Sequence, residues 1–302
     1  MPTHQALRVA VLGAGKIGSA FAFQLARTGQ HDVTVIARPG SARLTQLQSD
    51  AGILDVKGKR AEVRVLDALD EATPYDLVIV TLLAHQIDAV VPALQRCAAA
   101  SILCMFNIFD PEQLRDQLGS QRCCFGMPFL QANFDADGKL NAKIGAGGQK
   151  TKLGQQQWVD VFTAAGLPAV LEPEMLLWLR CHAPLCVAFE AVSVAGVRRG
   201  GGASWAEAAT LATGLQESFA LIQGLGFRLY PDGKSFLKSS PSWVAASMLW
   251  SMSRIRSFRE LLATGAGECR ALVDALVQAV PRSNPAVTAA RIEAMRPSGE
   301  PL

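Results

Sequence analysis

The sequence predicts an α/β domain with a doubly wound, largely parallel sheet, followed by an all-α domain. Three observations predict this. Residues 9–36 read as strand, glycine-rich turn, helix and strand. The apolar runs at 77–82 and 101–106 have the continuous character of strands covered on both faces. Beyond Glu174 strand signals stop, and long apolar helical stretches take over. The expected boundary lies near Glu172-Pro173, giving domains of 1–172 and 173–302.

The first strand is Val9-Ala10-Val11-Leu12, leading into Gly13-Ala14-Gly15-Lys16-Ile17-Gly18. A helix follows with Phe21, Leu25 and Ala26 on one side, stops at Gly29, and gives way to Val33-Thr34-Val35-Ile36. In this setting G-x-G-x-x-G is a dinucleotide-binding turn of Rossmann type. Gly13 permits the tight turn, Gly15 lets backbone N–H groups approach a pyrophosphate, and Gly18 lets helix and sheet pack closely. The helix N-terminus adds partial positive charge at the anion. An NAD site carries Asp or Glu at the end of the second strand. Here Arg38 stands there, with Arg43 near, and a guanidinium pairs with a 2′-phosphate. The expected cofactor is therefore NADP(H).

After Arg38 a helix is expected through Leu44 and Leu47, then a hairpin of 53–56 with 61–65 around Gly58. A connection runs to Pro74, a strand covers 77–82, and a helix covers 84–94. The strand at 101–106 ends next to Asn107. Ligands of open α/β sheets lie beyond the carboxyl ends of strands. Asn107 is thus placed either to meet nicotinamide or substrate, or to serve as a turn residue before Asp110-Pro111. Residues 122–127 and 139–144 flank Asp135–Gly138 as a second hairpin, a helix covers 155–165, and 169–171 closes the sheet.

In the second half, 174–197 reads as a long buried helix interrupted by Arg180, His182 and Pro184, with Pro184 expected to kink or restart it. Further helices are expected at 205–225, 242–262 and 267–280, with 227–231 as a connector and frayed residues from 296 to 302. The cleft between the two domains is where a small substrate is expected.

Composition excludes several classes. The 302 residues carry a net charge of +3 spread along the chain, with no basic stripe for nucleic acid. No uninterrupted apolar run is long enough for a bilayer, and with the first strand starting so early no leader peptide is expected. The seven cysteines form no C-x-x-C pair, as expected of reduced thiols in a cytoplasm, and the four histidines are scattered, so no metal site is expected. A homodimer is compatible with the apolar last helices.

The chain resembles the ketopantoate reductase (2-dehydropantoate 2-reductase) family over almost its whole length. The resemblance rests on V-L-G-A-G-K-I-G at 11–18, Arg38, Asn107, and the segment from Gln216-Glu217-Ser218 through Gly224-Leu225-Gly226 to Leu229-Tyr230-Pro231. It implies NADPH-dependent reduction of a 2-oxo acid to a 2-hydroxy acid. Cofactor contacts are implied for Gly13, Gly15, Lys16, Ile17, Gly18, Arg38, Leu82, Gln86 and Asn107, and substrate contacts for Asn107 and Ser257, with Ser247 as the alternative serine. The family's Trp-x-Lys, whose lysine polarises the ketone and donates a proton, appears here as Trp178-Leu179-Arg180, and two following asparagines appear as Pro184 and Ala188. The late catalytic glutamate matches Glu268 across a gap, with Arg259 and Glu260 as alternatives.

Arg180 can polarise a carbonyl and pair with a carboxylate, but it stays protonated. Its alternative role is a buried ion pair with Glu174 or Glu190. Glu268 can donate a proton if burial raises its pKa. The departures imply a divergent member with a substrate other than ketopantoate. An NADP-linked imine reductase of opine type, and a non-catalytic NADPH-binding protein, are the alternative functions.

Overall fold

The protein is described by a computed structural model covering residues 6–297. The chain divides into two compact units. One comprises residues up to Phe106 together with Glu112–Met175, and the other comprises Asn107–Pro111 and the residues from Leu176 onward.

The first unit begins as its sequence dictates. Strand β1 (Arg8–Leu12), helix α1 (Lys16–Ala26) and strand β2 (Asp32–Ile36) form a parallel βαβ unit, with Val9 opposite Val33 and Val11 opposite Val35. Helix α2 (Ala42–Ser49) starts at Ser41, whose side chain accepts from the Leu44 N–H. A short antiparallel pair, β3 (Ile53–Leu54) and β4 (Arg60–Ala61), turns at Gly58 with φ +77°.

Residues 64–66 do not extend that hairpin. They form β5 (Arg64–Leu66), which joins the main sheet parallel to β2. Strand β6 (Leu77–Val80) is wholly buried. The expected helix at 84–94 is instead a single 3-10 turn at Ala84–Gln86 and a separate α3 (Val91–Arg96), with Pro92 in the first turn of α3. Proline suits a helix start and not its interior.

Strand β7 (Ile102–Cys104), helix α4 (Pro111–Leu118) and strand β8 (Cys123–Met127) follow. Strand β8 is buried and lies parallel to β7, so it cannot be the arm of a surface hairpin. That hairpin is β9 (Leu130–Phe134) with β10 (Leu140–Ile144). Strand β11 (Thr151–Leu153) runs antiparallel to β8. Helix α5 (Gln156–Ala164) then leads to β12 (Ala169–Leu171), parallel to β11. The sheet order is β12-β11-β8-β7-β6-β1-β2-β5.

Phe21 of α1 meets Phe162 of α5 edge to face at 5.2 Å, within a core that includes Val9, Val33, Leu77 and Leu103. Arg122 binds the end carbonyls of two helices, with Leu94, Gln95 and Cys97 on one side and Leu118 on the other. These are the carbonyls that a helix leaves without an internal partner.

The second unit is helical. Helix α6 (Met175–Arg198) runs unbroken through Pro184, so the expected restart does not occur. Its neighbours in sequence, Ala183, Val187 and Ala188, are fully buried, and such packing holds a helix together across one lost backbone bond. Helix α6 is long and apolar enough to cross a membrane, but two thirds of its most apolar window is buried inside the protein.

Helix α7 (Trp205–Gly224) starts in a capping box: Ser204 accepts from the Glu207 N–H, and Glu207 accepts from the Ser204 N–H. The stretch after 231 holds an element with no counterpart in the sequence reading, α8 (Asp232–Ser239). The expected helix at 242–262 is two, α9 (Ser242–Met252) and α10 (Arg256–Leu262), followed by α11 (Ala266–Ala279) and α12 (Ala289–Glu293). Gly214 of α7 lets α12 approach: a Cβ there would meet the Arg291 carbonyl and the Met295 side chain. The expected fraying from 296 falls largely outside the described residues.

Candidate functional site

Two groups of residues carry chemistry, one in each unit. In the first unit the turn 13–18 is a cradle made of backbone. Gly13 adopts φ +112°, a conformation side chains rarely take, and its carbonyl accepts from Thr81 Oγ1 at 2.9 Å. A Cβ on Gly18 would overlap that same Gly13 carbonyl and the Thr81 hydroxyl. Gly18 is therefore a packing requirement.

Gly15 differs. Its φ is −70°, and a Cβ built on it meets nothing within 4 Å. The protein itself leaves that space open. No side chain caps the start of α1, and its first turn holds no acidic residue. The N–H groups of the first helical residues are thus left to a ligand. An open face over a glycine and an uncapped helix start fit the phosphates of a dinucleotide.

Around the cradle, Lys16 is exposed and Ile17 packs on the core. Leu82 lies beside Gly13. Gln86 uses its side-chain oxygen to accept the Leu83 N–H at 3.1 Å. Arg38 is exposed two residues beyond β2 and makes no ion pair among the described residues. Arg43 is engaged in structure. It donates to Ser19, Gln46 and the Gly138 carbonyl, and stacks on Phe134 at 4.2 Å.

In the helical unit Asn107 joins Glu268, 161 residues away in sequence. Asn107 Nδ2 donates to Glu268 Oε1 at 3.1 Å, and the Asn107 backbone N–H adds to the carboxylate. The Cys186 thiol donates to Asn107 Oδ1 at 3.2 Å. The amide is thereby fixed, with its nitrogen toward the acid and its oxygen toward the thiol.

Burial raises the Glu268 carboxyl above its ordinary value, while the Asn107 donors pull the other way. Glu190 of α6 is more deeply affected. Burial first, and then the Glu268 charge, push it well above the usual range. Its Oε2 is buried without a hydrogen bond, and a Cβ on Gly265 would crowd its carboxyl carbon at 2.6 Å. Of the two acids, Glu190 is pushed further above the usual carboxylate range than Glu268.

Arg180 is 3 % exposed and pairs with Asp110, Nη2 to Oδ1 at 3.0 Å. Arg282 takes the other oxygen at 3.2 Å, and the Arg180 guanidinium lies 3.8 Å over the Phe227 ring. The ion pair thus runs to Asp110, a residue the sequence reading treated as part of a turn. Glu190 forms no ion pair among the described residues. The alternatives to Glu268 are engaged elsewhere: Glu260 with Arg256 at 2.8 Å, and Arg259 with the Ser253 carbonyl at 2.9 Å. Ser257 is exposed on α10, and no hydrogen bond joins it to Asn107 or Glu268.

In sequence, residues 9–158 match the family described as ketopantoate reductase PanE/ApbA. The chain belongs to the ketopantoate reductase family. By family it is an oxidoreductase of CH–OH and C=O groups, and a divergent member. Solved structures resemble this ketopantoate reductase relative along its whole length. The 2-dehydropantoate 2-reductase of Porphyromonas gingivalis W83 shares 16 % identity with a TM-score of 0.64, covering 96 % of this chain and 98 % of that one. The 2-dehydropantoate 2-reductase of Methylococcus capsulatus shares 17 % with a TM-score of 0.66, covering 96 % and 94 %. D-mandelate dehydrogenase in complex with NADH shares 15 % with a TM-score of 0.70, covering 96 % of each chain. No curated protein matches in sequence.

Sequence reasoning missed Asp110 as an ion-pair partner, Cys186 as a donor, and Lys234 altogether. Lys234 is 5 % exposed on α8. The only signal for it was Pro231-Asp232, a helix start with proline before an acidic first residue.

Two predictions follow from this geometry. Gly15→Ala is expected to cost no more than about 1 kcal/mol of stability and to weaken NADPH binding about 10–100-fold by blocking charge-assisted backbone donors. Gly18→Ala is expected to lower stability by roughly 1–3 kcal/mol or more. Thermal melts and nucleotide titration separate the two. Unchanged nucleotide affinity in Gly15→Ala would remove the cradle from consideration.

Glu190 has a folded pKa raised above its unfolded value. Its contribution to stability is therefore fully present below the unfolded value, near 4.5, and is lost as pH rises toward the folded one. Glu268, raised in the same sense, adds to that decline. Glu190→Gln removes one of the two contributions. Its Tm is expected to fall less than that of the unaltered protein between about pH 5 and pH 8. Equal slopes would mean that Glu190 ionises as an ordinary carboxyl.

Proposed function

We propose that the protein is an NADPH-dependent reductase of a 2-oxo acid other than ketopantoate, yielding the 2-hydroxy acid. The observation that carries this reading is the meeting of Asn107 and Glu268, both of which the family resemblance assigns to the site.

The backbone of Gly13–Gly18 and the start of α1 would hold the pyrophosphate, and Arg38 the 2′-phosphate. Lys16, Ile17, Leu82, Gln86 and Asn107 complete the proposed cofactor contacts. When bound, the nicotinamide supplies the hydride. This chain's own residues have the remaining tasks, which are to orient the carbonyl, stabilise the developing alkoxide and deliver one proton to it. Glu268 is the proposed proton donor, because burial favours its protonated form and Asn107 fixes its orientation. Arg180 holds Asp110, and through it the segment that carries Asn107, and adds a permanent positive charge to the site. It cannot release a proton. Ser257 is kept as a proposed substrate contact.

The reading is tested by following NADPH oxidation with ketopantoate, pyruvate, 2-oxoisovalerate and phenylglyoxylate, each with and without amines. Turnover of a 2-oxo acid alone, lost in Glu268→Gln, is the expected outcome. Turnover only with an amine would move the assignment to imine reduction. NADPH binding with no turnover anywhere would leave a nucleotide-binding protein without this chemistry.

Arg38 sets the expected cofactor choice. Arg38→Asp is expected to lose about 10–100-fold in NADPH affinity, as for one or two charge-assisted hydrogen bonds, while NADH binding holds or improves. Equal loss for both nucleotides would show that Arg38 does not read the 2′-phosphate.

A further inference from the structure

Glu190 is 6 % exposed, and its Oε2 is buried with no hydrogen-bond partner among the described residues. Burying a polar atom in that way costs free energy that no contact inside the protein returns. A leucine at the same place would avoid the cost. An orphaned polar atom in a native structure calls for a partner from outside the chain or a part in the chemistry.

Two helices fix where that atom stands. On α6 Glu190 lies one turn beyond Cys186, and residues four apart share a helix face. Cys186 donates to Asn107 at 3.2 Å, and Asn107 donates to Glu268. On its other side the Glu190 carboxyl lies against Gly265. A Cβ there would stand 2.6 Å from its carboxyl carbon and 2.7 Å from Oε2. Gly265 immediately precedes α11, and Glu268 is the third residue of that helix. The two acids thus meet at one short stretch of chain, all of it inside the helical unit. That stretch is open to solvent. Gly267 is exposed, a Cβ on it would meet nothing within 4 Å, and Glu268 is partly exposed.

A buried carboxyl with no donor to stabilise its charge favours the protonated form, and in that form it gives a hydrogen bond. Burial, and after it the Glu268 charge, act on Glu190 in this direction. A 2-oxo acid carries its acceptors on adjacent carbons, the ketone oxygen on one and the carboxylate on the next. A group that protonates the alkoxide formed from the ketone therefore has the carboxylate beside it. The group that meets the carboxylate must stand next to that acid, as Glu190 stands next to Glu268. A hydrogen bond from O–H to a carboxylate oxygen is of the stronger, charge-assisted kind.

We propose that Glu190, as a carboxylic acid, donates a hydrogen bond to the carboxylate of the 2-oxo acid substrate. The assignment rests on the reductase reading above and adds to it a substrate-binding residue that the family resemblance does not name. Glu190 keeps its proton through turnover in this scheme; the proton given to the alkoxide is that of Glu268.

The test measures inhibition by oxamate, a 2-oxo acid analogue whose amide carbonyl is not reduced. It adds thermal melts and NADPH-linked turnover of pyruvate, 2-oxoisovalerate and phenylglyoxylate, for the unaltered chain, Glu190→Leu and Glu190→Gln. Glu190→Leu is expected to weaken oxamate binding and raise KM roughly 10–100-fold, the scale of one charge-assisted hydrogen bond. Its Tm is expected to stay equal or rise, because an apolar group replaces an atom that had no partner. Glu190→Gln, whose amide N–H can still donate, is expected to keep most of the affinity. Lower stability in Glu190→Leu with oxamate binding intact would show a structural carboxyl and overturn the proposal. Intact oxamate binding with a shifted pH profile of kcat would overturn it too, because Glu190 would then act on Glu268 and not on substrate. Both results leave the reductase reading standing. Glu190→Met carries the same comparison if the leucine variant does not fold. No turnover of any 2-oxo acid by the unaltered chain would sink the reductase reading and this assignment with it.

Discussion

The five residues from Asn107 to Pro111 decide what the helical unit can do. They follow directly on strand β7 and Phe106, yet they belong to the helical unit. Two interactions hold them there. Asp110 accepts from Arg180 and Arg282, and Asn107 spends both ends of its amide on Glu268 and Cys186. In the first, Arg180 is buried and Asp110 a quarter exposed, and breaking the pair carries the cost of a buried guanidinium deprived of this carboxylate. That cost fixes the position of Asp110, and three residues of chain then limit where Asn107 can stand. The second interaction fixes which way the amide points. Without the pair, the Glu268 carboxyl would keep its burial and lose the donors that balance it. The state of the acid thus depends on an ion pair that never touches it.

The nucleotide cradle is built on the opposite principle. Its working groups are N–H donors and the absence of side chains, so the requirement is written in glycines. Gly13 and Gly18 are needed for the fold as well as for a ligand, since one has a positive φ and the other has no room for a Cβ. Gly15 is needed only if something lies over it. Backbone sites of this kind are local in sequence. That is why residues 9–36 could be read directly as strand, turn, helix and strand.

The polar group in the helical unit was legible only in fragments, for a physical reason. Asn107, Arg180, Glu190, Lys234 and Glu268 come from four separate stretches, and no periodicity links them. Each reads alone as a turn, a helix charge or a cap. The family resemblance pointed to Glu268 among three candidates, and the structure brings that one to Asn107 while Glu260 and Arg259 are engaged elsewhere. Lys234 escaped because α8 is short and polar, and the sequence reading placed no element between the connector at 227–231 and the helix expected from 242. The hairpin arms were misread at 122–127 for a related reason. An apolar strand looks the same whether its partner is a hairpin arm or a central strand of a sheet, and only β7 alongside it decides.

The charges of the helical unit also constrain one another. Two ionised carboxylates in a buried group would repel an anion, and burial already opposes each of them. Glu268 has the Asn107 donors to favour its charged form, and Glu190 has none, so the two acids do not share charge evenly. The Glu268 charge then raises Glu190 further. Burial and mutual repulsion therefore both oppose two negative charges in this group at once. Arg180 is held by Asp110 at 3.0 Å, and Arg282 shares that carboxylate. In the proposed reaction a protonated Glu268 puts no negative charge in the way of an acid substrate, and the proton it gives to the alkoxide is replaced from solvent. Glu190, whose Oε2 is buried without a hydrogen bond and which forms no ion pair among the described residues, is thus the acid in which burial most strongly favours the neutral form.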